Sequence, residues 1–454
     1  MISVIYPQSD PMFSRIATWC CIPNKRACSP FCLLIHGAAG TGKSAVLREC
    51  RRIGEQIYGA GSVAVTAPVA SAAVLVDGRT IHSFAQIAPK AVGEFEILTT
   101  IKRRCLEKMM GALKVLFIEE IGLLDPVLLA ELDHLFKQFF DSSAPFGGIS
   151  VVGFGDLLQL PPFGGMNVFE DIKSLAAENR DKKAPSSRNL WSLFERYELK
   201  KNFRTRDSLH TSTLALLRIG AHRTDSDAMR LLKSLETPRD VTTDHPEEVF
   251  AILEDMEKAN PGKDFLLMAP TNRQTAILND YKLGKLGHPT TLEPIVKSPS
   301  EVGQKYFYEG EWETLHLVAG CKVMLTRNLN QKKGLVNGSM GILKKINKGS
   351  LTIRFDGLGE FTIPRSKYSN EMRTKFWEQY PIRVAEATNI QKSQGLTVDG
   401  VVLVTDRIFG VGSVYTALSR AKDLGLCRIT RFNVERWYTN WAALRELRRM
   451  PDCS

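Results

Sequence analysis

Residues 37–44, Gly-Ala-Ala-Gly-Thr-Gly-Lys-Ser, combine three glycines with a lysine and a hydroxyl side chain. They lie between an apolar, β-type run and a sequence typical of a helix, which is the setting expected of a phosphate-binding loop. The glycines let backbone N–H groups face phosphates at a helix N-terminus. Lys43 would reach the β- and γ-phosphates of a nucleoside triphosphate, and Ser44 would hold Mg²⁺. We predict nucleotide contacts from the whole loop: Gly37, Ala38, Ala39, Gly40, Thr41, Gly42, Lys43 and Ser44.

Two adjacent glutamates, Glu119 and Glu120, follow the apolar run Lys-Val-Leu-Phe-Ile at residues 114–118. The run is typical of a buried parallel strand, whose carboxyl end lies at the sheet edge where ligands collect. There Glu119 would hold Mg²⁺ together with Ser44, and Glu120 would orient or deprotonate the attacking water. From this stretch alone, two acids that favour a helix N-terminus remain the alternative.

A third strand-like run, Ile-Ser-Val-Val-Gly-Phe at residues 149–154, ends in a polar cluster of Gly155, Asp156 and Gln159. The amide of Gln159 can donate to a γ-phosphate and accept from water, so it could report whether that phosphate is present. Three strands that converge on one phosphate site favour a functional role for the glutamates. We therefore predict that Lys43, Glu120 and Gln159 are catalytic.

The stretch Gly-Asp-Leu-Leu-Gln-Leu-Pro-Pro, residues 155–162, resembles motif III of superfamily-one helicases. Other runs, among them TIHSF, KNFRT, GLVNGS and ALSRA, resemble motifs of the Pif-one/RecD-like branch of superfamily-one DNA helicases. These runs fall within residues 63–87, 198–205, 264–280, 321–343, 387–404 and 413–424. They occur in family order and span about residues 31–431 of the chain.

The resemblance implies an ATP-dependent DNA helicase that uses ATP and Mg²⁺, moves on single-stranded DNA 5′-to-3′, and unwinds forks. It places Arg204 and Arg420 at the γ-phosphate as catalytic residues and Gln8 at the adenine. It also implies DNA contacts that are tolerant of sequence and sensitive to salt. The residues implied in them are Thr66, Pro68, His82, Ser83 and Phe84 in the first half, and Thr271, Asn272, Lys392, Ser393 and Gln394 in the second.

The net charge of +11 and the pI near 9.1 suit a polyanionic partner. Nucleic acid is favoured over an anionic membrane, because no basic tail or low-complexity run accounts for the excess. No apolar run reaches the roughly 18–20 residues that span a bilayer. The N-terminus lacks the pattern of a secretory signal, so we expect an intracellular protein, in the nucleus or in a host nucleus or cytoplasm, with the mitochondrion left open.

Nine cysteines in 454 residues indicate reduced thiols rather than a disulfide framework. Four of them cluster, but their spacing fits no standard zinc pattern. We expect these four to be unliganded thiols: Cys20, Cys21, Cys28 and Cys32.

The alternation of strands and helices predicts an α/β protein with two RecA-like, doubly wound parallel sheets. The first domain would span residues 1–205, with an insertion at about 85–112 that the resemblance implies is a duplex-splitting wedge and that is equally consistent with an amphipathic support. A helical linker and support would follow at 206–262, and the second domain would span 263–431. It would contain a β-rich, barrel-like insertion at about 300–380, and 432–454 would form a helical tail. We expect a monomer.

Two other functions remain open. One is a nucleic-acid-binding regulator that binds ATP but hydrolyses it poorly. It is considered because the carboxylate pair at such a site is usually Asp-Glu, whereas here the first residue of the pair is Glu119. The other is an RNA-directed superfamily-one helicase.

Overall fold

The computed structural model describes residues 30–87, 97–162, 166–171, 190–205, 207–238, 241–302, 306–308, 312–330, 333–355, 357–370 and 374–453. The chain divides into a first unit, Met1–Arg206 with Thr439–Ser454, and a second unit, Asp207–Tyr438. Gln8, Cys20, Cys21 and Cys28 lie outside the described residues. Among the helices described, none has the length and apolar character needed to cross a membrane.

The first unit is built on a parallel six-stranded sheet with the strand order β3-β2-β4-β5-β1-β6. Its strands are β1 Cys32–Gly37, β2 Val63–Ala67, β3 Arg79–Thr80, β4 Val115–Ile118, β5 Ser150–Gly155 and β6 Phe194–Leu199. Strands β1, β4 and β5 are buried along their whole length, as expected of a parallel sheet covered on both faces. Their carboxyl ends share one edge, which brings the three predicted polar clusters together.

The helices described in the first unit are α1 Lys43–Tyr58, α2 Ala70–Leu75, α3 Ile81–Ala85, α4 Thr100–Met110, α5 Pro126–Phe139 and the C-terminal α11 Trp441–Arg449. Helix α1 buries Val46, Leu47 and Cys50 in a core with residues of β1, β2 and β4. Residue Asp452, just beyond α11, forms a parallel bridge with Arg196 in β6. The C-terminal segment therefore extends the first unit, where the sequence had suggested a separate tail.

Helix α4 occupies the end of the candidate wedge, whose residues 88–96 lie outside the described part. Arg103 on α4 donates to the carbonyls of Gln138 and Phe139 (the latter at 2.8 Å) and pairs with Asp141 at 3.1 Å. Leu106 and Met110 are buried. The helix thus packs on α5 as an amphipathic support, and its role as a wedge stays a prediction.

The second unit contains a parallel four-stranded sheet with the order β19-β7-β20-β21. Its strands are β7 Phe265–Ala269, β19 Thr388–Asn389, β20 Gly400–Leu403 and β21 Cys427–Ile429, and its helices are α6 Ser208–Ile219, α7 Ser226–Ser234, α8 Pro246–Ala259, α9 Asn272–Leu286 and α10 Ser413–Leu418. Phe250 and Leu253 of α8 pack in one core with Leu267 and Val402 of the sheet. The segment predicted as a linker therefore contributes to the core of this unit.

Antiparallel strands interrupt this sheet between β7 and β19. One group has the order β15-β14-β13-β12-β18 and others the orders β10-β16-β17-β9 and β11-β8, with β10 and β16 parallel. The strands are β8 Thr290–Leu292, β9 Ile295–Lys297, β10 Phe307–Tyr308, β11 Leu315–Leu317, β12 Lys322–Leu325, β13 Met340–Asn347, β14 Ser350–Phe355, β15 Gly359–Pro364, β16 Ser366–Ser369, β17 Phe376–Gln379 and β18 Ile382–Val384. The α/β architecture with a β-rich insertion is confirmed, although its strands begin about ten residues earlier than predicted.

Candidate nucleotide and nucleic-acid sites

The predicted phosphate-binding loop connects β1 to α1 and has the backbone that its glycines allow. Gly40 and Gly42 have φ angles of 81° and 84°, a region that side chains with a Cβ rarely adopt. A Cβ at Gly37 would lie 2.6 Å from Thr41 Oγ1, so only glycine fits there without movement. Lys43 Nζ donates to the carbonyls of Gly37 at 2.7 Å and Ala38 at 3.0 Å, inside the curl of the loop.

The segment after β6 packs directly on this loop. Asn202 Nδ2 donates to Ala39 O at 3.1 Å, and Phe203 N donates to Gly40 O at 2.8 Å. A Cβ on Gly40 would lie 2.6 Å from the Cβ of Arg204. The backbone of Arg204 is therefore held against the loop, as its predicted role at the γ-phosphate requires.

Glu119 meets the loop through Ser44, whose hydroxyl donates to Glu119 Oε1 at 2.6 Å. Glu119 is only 5% exposed, and its Oε2 has no hydrogen-bond partner among the described residues. Burial, followed by repulsion from Glu120, raises the pKa of Glu119 to about 7. A hydroxyl oxygen and a carboxylate with an unsatisfied buried oxygen fit Mg²⁺, which takes oxygen ligands and usually one or two carboxylates. The longer side chain of glutamate thus reaches the position predicted for a metal ligand.

Glu120 lies at a sharp turn directly after β4. Its φ of 52° and ψ of 44° are left-handed, an uncommon conformation for a residue other than glycine and one that clusters at functional sites. Its side chain makes no cap to the 3₁₀ turn Ile121–Leu123, and α5 begins later with Asp125 as its N-cap. The glutamates are therefore not helix-capping acids, and the turn separates buried Glu119 from half-buried Glu120.

The third polar cluster lies at the end of β5, beside β1 in the same sheet. Asp156 is 2% exposed and accepts from Leu158 N at 3.2 Å and from Gln159 Nε2 at 3.4 Å. His36 Nε2, from the residue just before the phosphate loop, lies 3.2 Å from Asp156 Oδ1. Sequence reasoning missed His36, because a single histidine in an apolar strand is usually read as part of the core.

The DNA contacts predicted in the first unit have unequal access to solvent. Thr66 is fully buried and its hydroxyl donates to Phe117 O at 3.0 Å, so this side chain supports the sheet. Phe84 is 4% exposed and packs in the interior, so its ring is not a stacking surface for a base. Pro68, His82 and Ser83 are half-buried and remain candidates. Burial lowers the pKa of His82, which favours the neutral imidazole.

The second unit brings two of its predicted DNA residues into one cavity. Asn272 and Lys392 line a cavity of about 430 Å³ between α9, β18 and the segment after β19. Thr271 caps α9, since its hydroxyl accepts from Gln274 N at 3.1 Å. Ser393 is fully buried and donates to Ile390 O, whereas Gln394 is 9% exposed.

The same cavity contains residues that were not among the predicted DNA contacts, chiefly Arg383, Asn389 and Glu313. Asn389 Nδ2 donates to Asn272 Oδ1 at 2.5 Å and its Oδ1 accepts from Lys392 N at 2.7 Å, so it ties two parts of the lining together. Burial lowers the pKa of Lys392 and of Arg383, and the proximity of Arg383 lowers that of Lys392 further. Two partly desolvated cations in one cavity favour an anionic ligand.

Arg420 lies in the second unit immediately after α10 and is buried. Its Nε donates to Thr416 O at 3.0 Å, and its guanidinium donates to Ser419 Oγ at 2.9 Å. These contacts fix the side chain within its own unit, and its role at a γ-phosphate stays a prediction.

Comparisons with known proteins agree with this arrangement. A family model described as PIF1-like helicase matches residues 24–216, and one for the 2B domain of DNA helicase Pif1 matches residues 312–346. ATP-dependent DNA helicase PIF1 of Danio rerio is 28% identical over 404 residues, 87% of this chain and 58% of that protein. Its namesake from Saccharomyces cerevisiae (strain YJM789) is 30% identical over 368 residues, 79% of this chain and 38% of that protein. The chain thus spans less than two thirds of these relatives.

Solved structures share the fold over nearly the whole chain. The Pif1 helicase from Candida albicans has a TM-score of 0.69 at 23% identity, covering 97% of this chain and 98% of that one. Bacteroides Pif1 in complex with ADP-AlF3 and ssDNA has a TM-score of 0.67 at 23% identity, covering 96% and 95%. With both family models matched in chain order and a complete phosphate-binding loop at the sheet edge, this chain belongs to the PIF1-like helicase family.

Proposed function

We propose that this protein is an ATP-dependent DNA helicase, an ATP hydrolase that translocates on single-stranded DNA and unwinds duplex DNA at forks. The observation that carries the proposal is the convergence of three polar groups at one sheet edge. These are Lys43 inside the loop, Ser44 with Glu119 at 2.6 Å, and Asp156 with Gln159 at 3.4 Å. The relatives described above are named ATP-dependent DNA helicase PIF1, which supports the same activity.

The residues of the chain have separate tasks in this proposal. Ser44 and Glu119 would hold Mg²⁺, which when bound would neutralise negative charge on the triphosphate. Lys43 binds those phosphates, and Glu120 takes the proton of the attacking water. Arg204 and Arg420 stabilise the charge that develops on the γ-phosphate. Arg204 belongs to the first unit and Arg420 to the second.

Single-stranded DNA is the proposed ligand of the cavity in the second unit. Its lining combines cations with amides and hydroxyls, a set that suits phosphates and sugars without reading base sequence. Pro68, His82 and Ser83 provide the corresponding grip on the first unit. Alternation between the two grips would advance the strand, and the family resemblance supports 5′-to-3′ movement.

A regulator that binds ATP with weak hydrolysis is the second candidate, favoured by one observation. Glu119 is buried and has a raised pKa, so without a metal part of the population would be protonated at neutral pH. A protonated carboxyl is a poor Mg²⁺ ligand. Against this candidate, Glu119 touches Ser44 and the remaining catalytic groups are all present.

ATPase rates with and without single-stranded DNA or RNA separate these functions. We expect strong stimulation by DNA and little by RNA, together with unwinding of duplexes that carry a 5′ tail. Weak hydrolysis with every nucleic acid would favour the regulator. Stimulation by RNA alone would favour an RNA-directed helicase, and preference for a 3′ tail would contradict the proposed polarity.

Shortening Glu119 to aspartate is expected to change the ATPase rate only slightly. Mg²⁺ keeps several waters, so a carboxylate one methylene further away can bind through one of them. In contrast, Glu119→Gln should raise the Mg²⁺ concentration for half-maximal rate roughly tenfold or more, because the charge is lost. Mg²⁺ titrations of the ATPase rate measure both. A sharp rise in rate for Glu119→Asp would instead mean that the longer side chain hinders catalysis.

Removing the ammonium group of Lys392 is expected to weaken binding of single-stranded DNA similarly for all sequences. The plot of log affinity against log salt should become shallower by about 0.7, the contribution of one phosphate contact on a single strand. Fluorescence anisotropy at several salt concentrations measures this slope. Lys233→Ala, an exposed lysine on α7 outside the cavity, is the control and should leave the slope unchanged. An equal slope for wild type and Lys392→Ala would remove Lys392 from the DNA site.

We further propose that the protein is intracellular and acts as a monomer in replication, repair or recombination. A solved relative is described as two coordinating Pif1 helicases at forked DNA, so more than one copy could share a fork. Sedimentation with and without forked DNA would distinguish a monomer from a pair.

A further inference from the structure

A buried histidine, His36, connects the phosphate-binding loop with the third polar cluster, which contains Asp156 and Gln159. It occupies the last position of β1 before Gly37 and pairs in register with Gly155 at the end of β5. Its Nε2 lies 3.2 Å from Asp156 Oδ1, and both side chains are almost completely shielded from solvent. His36 thus connects the strand that leads into the loop with Asp156.

Donors from His36, Leu158 and Gln159 face the two carboxylate oxygens of Asp156. Oδ1 faces His36 Nε2 and the Leu158 N–H, each at 3.2 Å, and Oδ2 faces Gln159 Nε2 at 3.4 Å. A carboxylate only accepts hydrogen bonds, so His36 donates through Nε2. Buried polar groups keep their geometry when every member of the network is satisfied. The orientation of this carboxylate therefore depends on His36, and the orientation of the Gln159 amide depends on the carboxylate.

We propose that His36 is a positioning residue for the γ-phosphate sensor, acting through Asp156 to hold the amide of Gln159 towards the phosphate loop. This assignment rests on the proposed function, because a γ-phosphate sensor serves a nucleotide-hydrolysing site. His36 itself does not touch the nucleotide. Without its donor, the carboxylate of Asp156 can rotate, and the Gln159 amide loses the partner that fixes it.

The direct test is the ability of the protein to distinguish a triphosphate from a diphosphate without DNA. Calorimetric titration of the full chain with ADP and with the non-hydrolysable analogue AMP-PNP gives the ratio of the two affinities. His36→Leu is expected to leave ADP binding unchanged and to reduce the preference for AMP-PNP about tenfold, the effect of losing one hydrogen bond to a charged group. His134→Leu, a half-buried histidine on α5, is the matched control and should behave as wild type.

Conservative variants separate positioning from a general loss of stability. A glutamine at position 36 would place an amide N–H near the position of the histidine Nε2. The amide of an asparagine would lie about one carbon–carbon bond short of that position. His36→Gln should therefore restore the AMP-PNP preference, and His36→Asn should not, although both are polar and similar in size. If His36→Leu fails to fold, this pair still decides the question. Equal preference in the Gln and Asn variants would overturn the positioning role.

Coupling to Gln159 supplies the second readout. In a Gln159→Ala background, His36→Leu should cause no further loss of AMP-PNP preference, because the group that it positions is gone. Additive losses would contradict the link. For ATP hydrolysis we expect His36→Leu to lower kcat with little change in KM. If the wild type shows no DNA-stimulated hydrolysis, the proposed function fails, while the binding ratios still confirm or reject the role of His36.

Discussion

Replacing Lys43 with alanine is expected to lower the kcat of DNA-stimulated ATP hydrolysis by at least about 100-fold. Lys43 Nζ lies inside the phosphate loop, where it donates to Gly37 O and Ala38 O. It is the only lysine among residues 37–44, so no other lysine of the loop can replace it. The loss removes the cation that binds the β- and γ-phosphates as charge moves between them. Steady-state ATPase assays with saturating single-stranded DNA measure the effect.

The control for this prediction is Lys108→Ala, which removes an exposed lysine from α4 in the same unit. It should retain wild-type activity and wild-type melting temperature. Lys43→Ala loses the two hydrogen bonds to Gly37 O and Ala38 O, so its melting temperature should fall only modestly, because Asn202 and Phe203 still hold the loop. A Lys43→Ala protein that hydrolyses ATP at a rate near wild type would show that this loop is not the catalytic site.

Replacing Glu120 with glutamine should abolish hydrolysis while keeping ATP binding. A general base contributes about 10²–10⁴-fold to the rate, and the amide of glutamine cannot accept the proton. Glu119 and Ser44 are unchanged in this variant, so the metal and the triphosphate should still bind. We expect a protein that binds ATP, grips single-stranded DNA and does not unwind a fork. Single-turnover hydrolysis and equilibrium ATP binding, measured on the same preparation, separate the two effects.

A matched variant is Glu107→Gln on the exposed face of α4, which should retain full activity. Two results would contradict the role of Glu120. Hydrolysis near the wild-type rate would exclude it as the base, and loss of ATP binding in parallel with hydrolysis would indicate a metal or structural role instead.

The nucleotide site could be predicted from the sequence because its parts are local. A glycine-rich loop between a strand and a helix, and polar residues directly after apolar strands, fix their own positions once the strands are parallel. The 2.6 Å contact between Ser44 and Glu119 follows from that geometry. The partnership of His36 with Asp156 did not follow, because it depends on the neighbouring order of β1 and β5, which sequence spacing does not reveal.

Burial divides the predicted nucleic-acid contacts into accessible and supporting side chains. Thr66 and Phe84 occur in stretches that resemble DNA-binding motifs, yet burial of each side chain is decided by packing against distant segments such as Phe117. Arg383 and Asn389 line the cavity although neither was among the predicted DNA contacts. A resemblance indicates candidate segments, and only the three-dimensional packing distinguishes exposed side chains from supporting ones.

The most direct measurement for the whole account is the ATPase rate of the wild-type protein with and without single-stranded DNA, compared with the same two rates for the Lys43→Ala variant. The account predicts a large increase in rate on addition of DNA, and no increase for Lys43→Ala. A wild-type rate that does not respond to single-stranded DNA, or a response that persists in Lys43→Ala, would contradict the proposal that this chain couples ATP hydrolysis to movement on DNA.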